Sequence, residues 1–255
     1  MNKKNKENID LANMRVNYEV FRELAKNEAL SQYEKIGFPD NYRKGLEHII
    51  FEDLLSKLTN LKQDQKIVLD IGPGCSELPK FLIDLCERQK HKLVFCDSEE
   101  MLSFHDDKGF LFKVSGMFPK TYEEVCKVEP KYDVILCYSV FHYIMVDTNV
   151  WDFVDHCMSL LKPGGQFLIG DIPNISKRKR FFSSESGVNY HKQFMNTNEA
   201  PEVIYNKIEM TKIDDAILMS LMMRAQAAGF DAYLLPQRKE LGMSNRRDDI
   251  LIVRP

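Results

Sequence analysis

The sequence predicts an α/β protein built on a doubly wound parallel sheet. Two observations carry that expectation. From about residue 66 onward, short β-branched or apolar runs alternate with stretches of helical periodicity, the pattern of strands joined by crossover helices. The first of these runs ends in a glycine-rich turn that leads into a helix.

Residues 66 to 71 (Lys-Ile-Val-Leu-Asp-Ile) open the series. Leu93 to Cys96, Phe110 to Val114, Asp133 to Cys137 and Gln166 to Ile169 follow, each bounded by Gly, Pro, Asp or charged residues. Between them Leu78, Phe81, Leu82, Leu85 and Cys86 repeat at three to four residues, as do Val150, Phe153, Val154, Cys157 and Leu160. Such stripes belong to helices that face the sheet. The first 60 residues carry helical spacing (Ile49, Leu54, Leu55, Leu58) and no convincing strand, which predicts a helical N-terminal cover over 1–60 ahead of a main domain over 61–255. After the fifth strand comes a polar segment at 174–212, then a helix from Asp214 to Ala228 stopped at Gly229. Two strand-like runs, Ala232 to Leu235 and Asp249 to Val253, close the chain.

A chain of 255 residues, 44% hydrophobic, is long enough to bury a core without disulfides or metal. A net charge of −3 argues against a protein that coats nucleic acid. The six cysteines form no C-x-x-C pair and lie mostly in apolar runs, which reads as reduced intracellular thiols. The charged N-terminus has no apolar run behind it, and the longest uncharged stretch, Val134 to Val146, is shorter than the roughly 20 residues of a membrane span. The expectation is a cytoplasmic protein without a membrane segment or a metal site; the oligomeric state is not readable.

The stretch Val68-Leu-Asp-Ile-Gly-Pro-Gly-Cys-Ser-Glu77 is the most informative. Gly72 and Gly74 flank Pro73 where a backbone must turn tightly and approach a ligand, with Ser76 as a candidate helix N-cap and Pro79 in the first turn. A G-x-G turn also opens dinucleotide-binding domains, but their fingerprint needs a third glycine where Glu77 stands, and an acidic side chain there repels pyrophosphate. Asp97 ends the second strand, where a carboxylate accepts hydrogen bonds from ribose hydroxyls.

With these residues in place the chain resembles the class I S-adenosylmethionine-dependent methyltransferases. Val68-Leu-Asp-Ile-Gly-Pro-Gly is similar to their glycine motif and Phe95-Cys-Asp-Ser-Glu-Glu-Met-Leu102 to their ribose segment. Lys131-Tyr-Asp-Val-Ile-Leu-Cys-Tyr-Ser-Val-Phe-His-Tyr143 looks like their fourth strand, and Leu160-Leu-Lys-Pro-Gly-Gly-Gln-Phe-Leu-Ile169 like their turn into the fifth. The resemblance covers about residues 60 to 255. It implies a Rossmann-like seven-stranded sheet whose last strand is antiparallel. The family often has a third glycine where this chain has Ser76.

By that resemblance S-adenosylmethionine is the cofactor, leaving as S-adenosylhomocysteine. Gly72, Pro73 and Gly74 would pass against its methionine part, Asp70 would orient its amino group, and Asp97 would bind both ribose hydroxyls. Ser98, Met101, Met117 and Phe118 are candidates for enclosing adenine; for the last three, plain core packing is an equal reading. Cys137 and Tyr138 would lie along the methionine arm. Asp133 reads as a strand-initiating turn residue.

Methyl transfer from a sulfonium is a direct displacement, so alignment and exclusion of water supply much of the catalysis. If the acceptor is a neutral hydroxyl or amine, a base must take its proton, and His142 just after the fourth strand is the candidate; a structural histidine is the alternative. The segment Lys177-Arg-Lys-Arg180 leaves the fifth strand where the family places a substrate lid. Lys177, Arg178 and Arg180 would suit the phosphate or carboxylate of an anionic substrate, against the alternative of a solvated charge run. Tyr18, Phe21, Tyr33, Phe38 and Tyr42 with Arg43 look like the cover that small-molecule members place over the cofactor, with Arg43 and Tyr143 beside the acceptor.

Base methylation is disfavoured, because Cys137-Tyr-Ser-Val stands where amino-methylating members carry an Asn-Pro-Pro-Tyr-like motif. The glycine motif and basic lid look faintly like methyltransferases of bacterial surface polysaccharide biosynthesis, some of which act on phosphorylated or phosphoramidate intermediates. The reading is thus a small-molecule O-methyltransferase, against an NAD-dependent oxidoreductase and a non-catalytic relative that binds a partner.

Overall fold

In the computed structural model, which describes residues 17–39, 43–207 and 209–255, the apolar runs pair into one seven-stranded sheet. Strands β1 (Ile67–Ile71), β2 (Lys92–Asp97), β3 (Leu111–Ser115), β4 (Tyr132–Tyr138) and β5 (Leu161–Pro173) are parallel; β6 (Asp231–Pro236) and β7 (Arg247–Val253) complete the order β3-β2-β1-β4-β5-β7-β6, with β7 antiparallel to both neighbours. Each predicted strand is present within a few residues of its expected bounds, except that β5 starts earlier, because Leu161 pairs with Tyr132 ahead of a bulge. A parallel strand covered on both faces cannot alternate apolar with polar residues, which is why β1, β2 and β4 read as continuous apolar runs.

The helices are α1 (Tyr18–Lys26), α2 (Gln32–Lys35), α3 (Glu47–Lys57), α4 (Leu78–Arg88), α5 (Glu99–Leu102), α6 (Tyr122–Val128), α7 (Phe141–Asp147), α8 (Val150–Ser159), α9 (Ile175–Phe182), α10 (Glu185–Met195) and α11 (Asp215–Ala227). Alternate strand residues feed two core layers. Leu69, Ile71, Cys137 and Phe167 face α7, α8 and α11. Val68, Leu136 and Leu168 face α3 and α4. Ile50, Phe51, Leu54 and Leu58 of α3 are buried in that second layer. The expected boundary at residue 60 therefore cuts through the core: α3 is a layer of the domain, and among the described residues the cover is α1, α2 and the rest of 17–39.

Two polar ties position these parts. Lys57 of α3 reaches Asp53 at 2.5 Å and Asp249 of β7 at 2.7 Å, with all three side chains buried. Asp133 accepts from Ile67 N at 2.8 Å and from Lys162 Nζ at 2.9 Å, joining the starts of β1, β4 and β5. The polar segment after β5 is not featureless, since α9 and α10 pack on each other through Phe181, Phe182 and Tyr190. Among the described residues no helix is long and apolar enough to cross a membrane.

Candidate functional site

Strand order reverses between β1 and β4, so the carboxyl ends of these two strands open a crevice, the place where doubly wound sheets bind ligands. A cavity with about 1000 Å³ of empty space, its mouth included, occupies that position. At its floor lie Asp70 and the turn Gly72-Pro73-Gly74. Gly72 and Gly74 have φ of +74° and +66°, and a Cβ on them would fall 2.7 Å from Val140 Cγ2 and 2.8 Å from Ile36 Cγ2. Both glycines are thus required twice, by the left-handed backbone and by the close approach of the next layer. Asp70 is buried and lines the cavity, and burial, reinforced by the Asp97 charge, lifts its carboxyl well above the usual range. The expected N-cap shifts by one residue: Ser76 is buried in the cavity wall, the helix boundary falls at Glu77 without a side-chain cap, and Pro79 sits in the first turn as anticipated.

Asp97 closes β2. Its Oδ2 accepts from Gly74 N at 3.0 Å and its Oδ1 from Ser98 N at 2.7 Å, so the carboxylate spans the two turns that frame the cavity. Burial outweighs those two bonds and pushes its pKa up to about 6. Ser98 caps α5 through Met101 N at 3.2 Å. Met101 is at once a cavity wall and the core partner of Ala25 and Cys75. Gly116, Met117 and Phe118 form the wall after β3, with Phe118 packed edge-on against Phe153 at 5.6 Å.

The opposite end of the cavity is built from Tyr138, Ser139, Val140 and Tyr143 after β4, together with Phe38 and Arg43 from the N-terminal region. Gly170 of β5 leaves room for the Tyr138 ring, which lies against it. Arg43 Nη2 donates to Ser139 Oγ at 3.0 Å, and Ser139 Oγ in turn donates to Asp171 Oδ2. Asp171 also accepts from Arg247 Nη1 at 2.9 Å and from Gln237 Nε2 at 3.2 Å, while its backbone N–H donates to Asp249 Oδ1 at 2.8 Å. Sequence reasoning missed Ser139, Asp171, Gln237 and Arg247. The available signal was Asp171 itself, a carboxylate inside an apolar strand, which must be satisfied when buried.

The cover closes the cavity from above. Tyr18, Phe21, Ile36 and Phe38 line it. Phe21 meets Tyr143 edge-on at 4.7 Å, Arg22 clamps Glu100 of α5 at 3.0 and 2.9 Å, and Tyr18 N donates to Asp147 Oδ2 at 2.7 Å. Tyr33 is buried in the cover without lining the cavity. Tyr42 lies outside the described residues.

Five anticipated residues do not line the cavity. Cys137 points into the opposite core layer, because side chains alternate along β4 and Leu136 and Tyr138 take the cavity face. Val140, Tyr143, Ile144 and Asp147 form the inward face of α7, and His142 lies off that face with its ring 3.9 Å from Tyr143. His142 Nδ1 is buried without a partner, and burial together with the Arg247 charge pushes its pKa down to about 3. Lys177 pairs with Asp248 at 2.7 Å and donates to Arg247 O at 2.6 Å, Arg180 pairs with Asp215 at 2.5 Å, and Arg178 stacks on Phe182 at 4.9 Å. The basic run is thus consumed by structural partners. Among the described residues no cluster of three potential metal ligands occurs.

This strand order, with the glycine turn at its reversal and a carboxylate closing β2, is the Rossmann-like fold of class I S-adenosylmethionine-dependent methyltransferases. Residues 69–167, from within β1 to the middle of β5, match the family model described as a methyltransferase domain. No curated protein sequence matches the chain. Among solved structures, the plantazolicin methyltransferase BpumL in complex with SAH (S-adenosylhomocysteine) is similar with a TM-score of 0.56 at 13% identity, covering 92% of this chain and 95% of that one. A putative methyltransferase of Haloferax volcanii, in complex with the Trm112 activator, has a TM-score of 0.53 at 16% identity, covering 92% and 97%. The N-methyltransferase NodS of Bradyrhizobium japonicum has 0.52 at 11% identity, covering 85% and 99%.

Proposed function

We propose that the protein transfers a methyl group from S-adenosylmethionine to an oxygen of a small metabolite seated between Ser139, Tyr143, Phe38 and Arg43. One observation carries the reading: a single cavity joins the Asp70, Gly72, Gly74 and Asp97 frame to a second, aromatic end, with the cover closed over both. When bound, the cofactor supplies a methyl carbon activated by a sulfonium charge. Asp97 has lone pairs left beyond its two backbone bonds to accept the ribose hydroxyls, and Asp70 faces the cavity to meet an ammonium group. Gly72 and Gly74 let the backbone lie flat beneath the ligand. Phe21, Phe38 and Tyr143 exclude water from the reacting end, where alignment does most of the work.

The oxygen acceptor follows from the absence of a usable base among the described residues at that end. His142 is too weakly basic, and Asp171 is saturated by Ser139, Arg247 and Gln237. An acceptor that arrives deprotonated, such as a carboxylate or phosphate oxygen, needs none. Closure by the cover favours a small metabolite over a polymer. The basic run at 177–180 gives no support to this reading, since Lys177, Lys179 and Arg180 are paired with carboxylates and Arg178 is stacked on Phe182, all away from the cavity.

Calorimetry with S-adenosylmethionine, S-adenosylhomocysteine and NAD tests the cofactor half; preference for NAD, or no binding, refutes it. A methyl-release assay over paired acid, alcohol and amine metabolites tests the acceptor half. Turnover confined to amines overturns the oxygen assignment.

A further inference from the structure

We propose that Arg43 is an anion anchor, the group that grips a carboxylate or phosphate at the acceptor end of the cavity; this deepens the methyltransferase reading and rests on it. Arg43 is 6% exposed and lines the cavity. Its guanidinium is stacked over Phe38 at 4.8 Å and Tyr138 at 5.4 Å, a setting that removes water and leaves only ring quadrupoles in its place. Among the described residues it meets no carboxylate. Among the described residues the guanidinium donates one hydrogen bond, to Ser139 Oγ, a neutral oxygen whose own proton is committed to Asp171.

The neighbouring carboxylates are already spoken for. Asp171 is paired with Arg247 at 2.9 Å, and Asp249 is paired with Lys57 at 2.7 Å. Lys57 is shared between Asp249 and Asp53, so this layer holds one carboxylate more than its cations, yet among the described residues none of these carboxylates bonds Arg43. A guanidinium with most of its N–H fork unspent is shaped to take two oxygens of one group. The side chains that meet its guanidinium face are the rings of Phe38 and Tyr138. The ligand so described is an oxyanion on a flat or apolar body.

That oxyanion has two sources, the acceptor and the α-carboxylate of the cofactor. Arg43 is tied to the end of β4 and, through Ser139, to β5, whereas Asp97 lies across the cavity at the end of β2; the placement favours the acceptor.

The test compares wild type, Arg43→Gln and Arg43→Lys by calorimetry. S-adenosylhomocysteine and 5′-methylthioadenosine, which lacks the amino-acid arm, probe the cofactor side. Phenyl phosphate, titrated into protein saturated with S-adenosylhomocysteine, probes the acceptor side. Unchanged binding of methylthioadenosine shows that the variants are folded, and failure of wild type to bind S-adenosylhomocysteine refutes the methyltransferase reading rather than the anchor. The expected result is that wild type binds phenyl phosphate, that Arg43→Gln weakens it at least tenfold, and that Arg43→Lys falls between. A tenfold or greater loss confined to S-adenosylhomocysteine keeps the anchor and assigns it to the cofactor. If all three ligands bind Arg43→Gln as they bind wild type, or if wild type binds no phenyl phosphate and the preference for S-adenosylhomocysteine over methylthioadenosine is unmoved, the proposal is overturned.

Discussion

Replacing Asp97 by Asn should remove a fall in the free protein's stability with rising pH and weaken its cofactor binding at the same time. The Asp97 carboxyl rises from an ordinary 3.8 to about 6 because burial penalises the charge by more than the bonds from Gly74 N and Ser98 N return. At about 1.4 kcal/mol per pH unit that rise corresponds to about 3 kcal/mol, discounted to about 2 kcal/mol for solvent entering through the cavity mouth. A folded-state value above the unfolded one means that stability is fully present below 3.8 and lost as pH climbs through about 6. An Asn carries no charge and escapes that loss, but its single oxygen can keep only one of the two backbone bonds. Between about pH 4 and about pH 8 the unfolding temperature of the variant should therefore gain roughly 5 °C on that of wild type, whatever the fixed cost of the lost bond. Its affinity for S-adenosylhomocysteine should fall about 100-fold, the loss of two hydrogen bonds to a charged acceptor at roughly 1.5 kcal/mol each. Thermal unfolding at both pH values and calorimetry measure the two effects. Wild-type affinity in the variant, or a difference in unfolding temperature that is the same at both pH values, refutes the argument.

Gly74→Ala should lose cofactor affinity and about 2 kcal/mol of stability, and Ile36→Ala in the same chain should recover only the part due to the 2.8 Å contact, leaving the cost of a positive φ; full recovery in a double-mutant cycle would show that the backbone conformation carries no penalty. His142→Ala should leave the shape of the rate profile between about pH 6 and pH 9 unchanged, because a group with a pKa of about 3 does not titrate there, and loss of an acid limb would reinstate it as the base. The same variant should soften the fall in stability below pH 6.5, since a buried neutral histidine disfavours the fold as pH drops from its ordinary value toward about 3. Arg180→Ala removes a half-exposed pair with Asp215 and should cost under about 1 kcal/mol with no change in acceptor KM, a result that a raised KM would contradict. Lys57→Met strands Asp53 and Asp249 together in the core and should cost about 3 to 5 kcal/mol in urea unfolding; a cost below about 1 kcal/mol would mean that the pair protonates instead.

What the sequence discloses depends on how far apart the cooperating residues lie. The strands were legible because burial on both faces leaves an unbroken apolar run, and Asp70, Gly72, Gly74 and Asp97 were legible because each breaks such a run at its carboxyl end. His142 was misjudged by one side-chain direction: it adjoins Tyr143, but on a helix the cavity face takes positions 140, 143, 144 and 147. The cations at 177–180 were overread for a different reason. Their partners Asp248, Asp215 and Glu209 stand 30 to 71 residues further along, and nothing local signals that the charges are spent. Arg43, Ser139, Asp171 and Arg247 illustrate the same limit, since only the pairing of β4, β5 and β7 brings them together.

The backbone around that network carries its own argument. Ser139 and Asp171 have φ of +62° and +58°, a left-handed conformation that costs a non-glycine residue about 1 to 2 kcal/mol, and they stand at adjacent strand ends with their side chains bonded to each other. Such strain persists only where surrounding contacts over-determine it. Here they do: Ser139 N donates to Gly170 O at 3.0 Å, and Asp171 is fixed by Arg247, Gln237 and Asp249. The turn at Ser139 sets Val140 beside Gly72, and the β-bulge at Asp171 aims its carboxylate at Ser139 Oγ. Relaxing either residue would shift Ser139, the partner of Arg43, relative to Val140 and Gly72. On the proposed reading the strain holds the cofactor end and the acceptor end of one cavity in fixed register, which is the requirement of an in-line transfer.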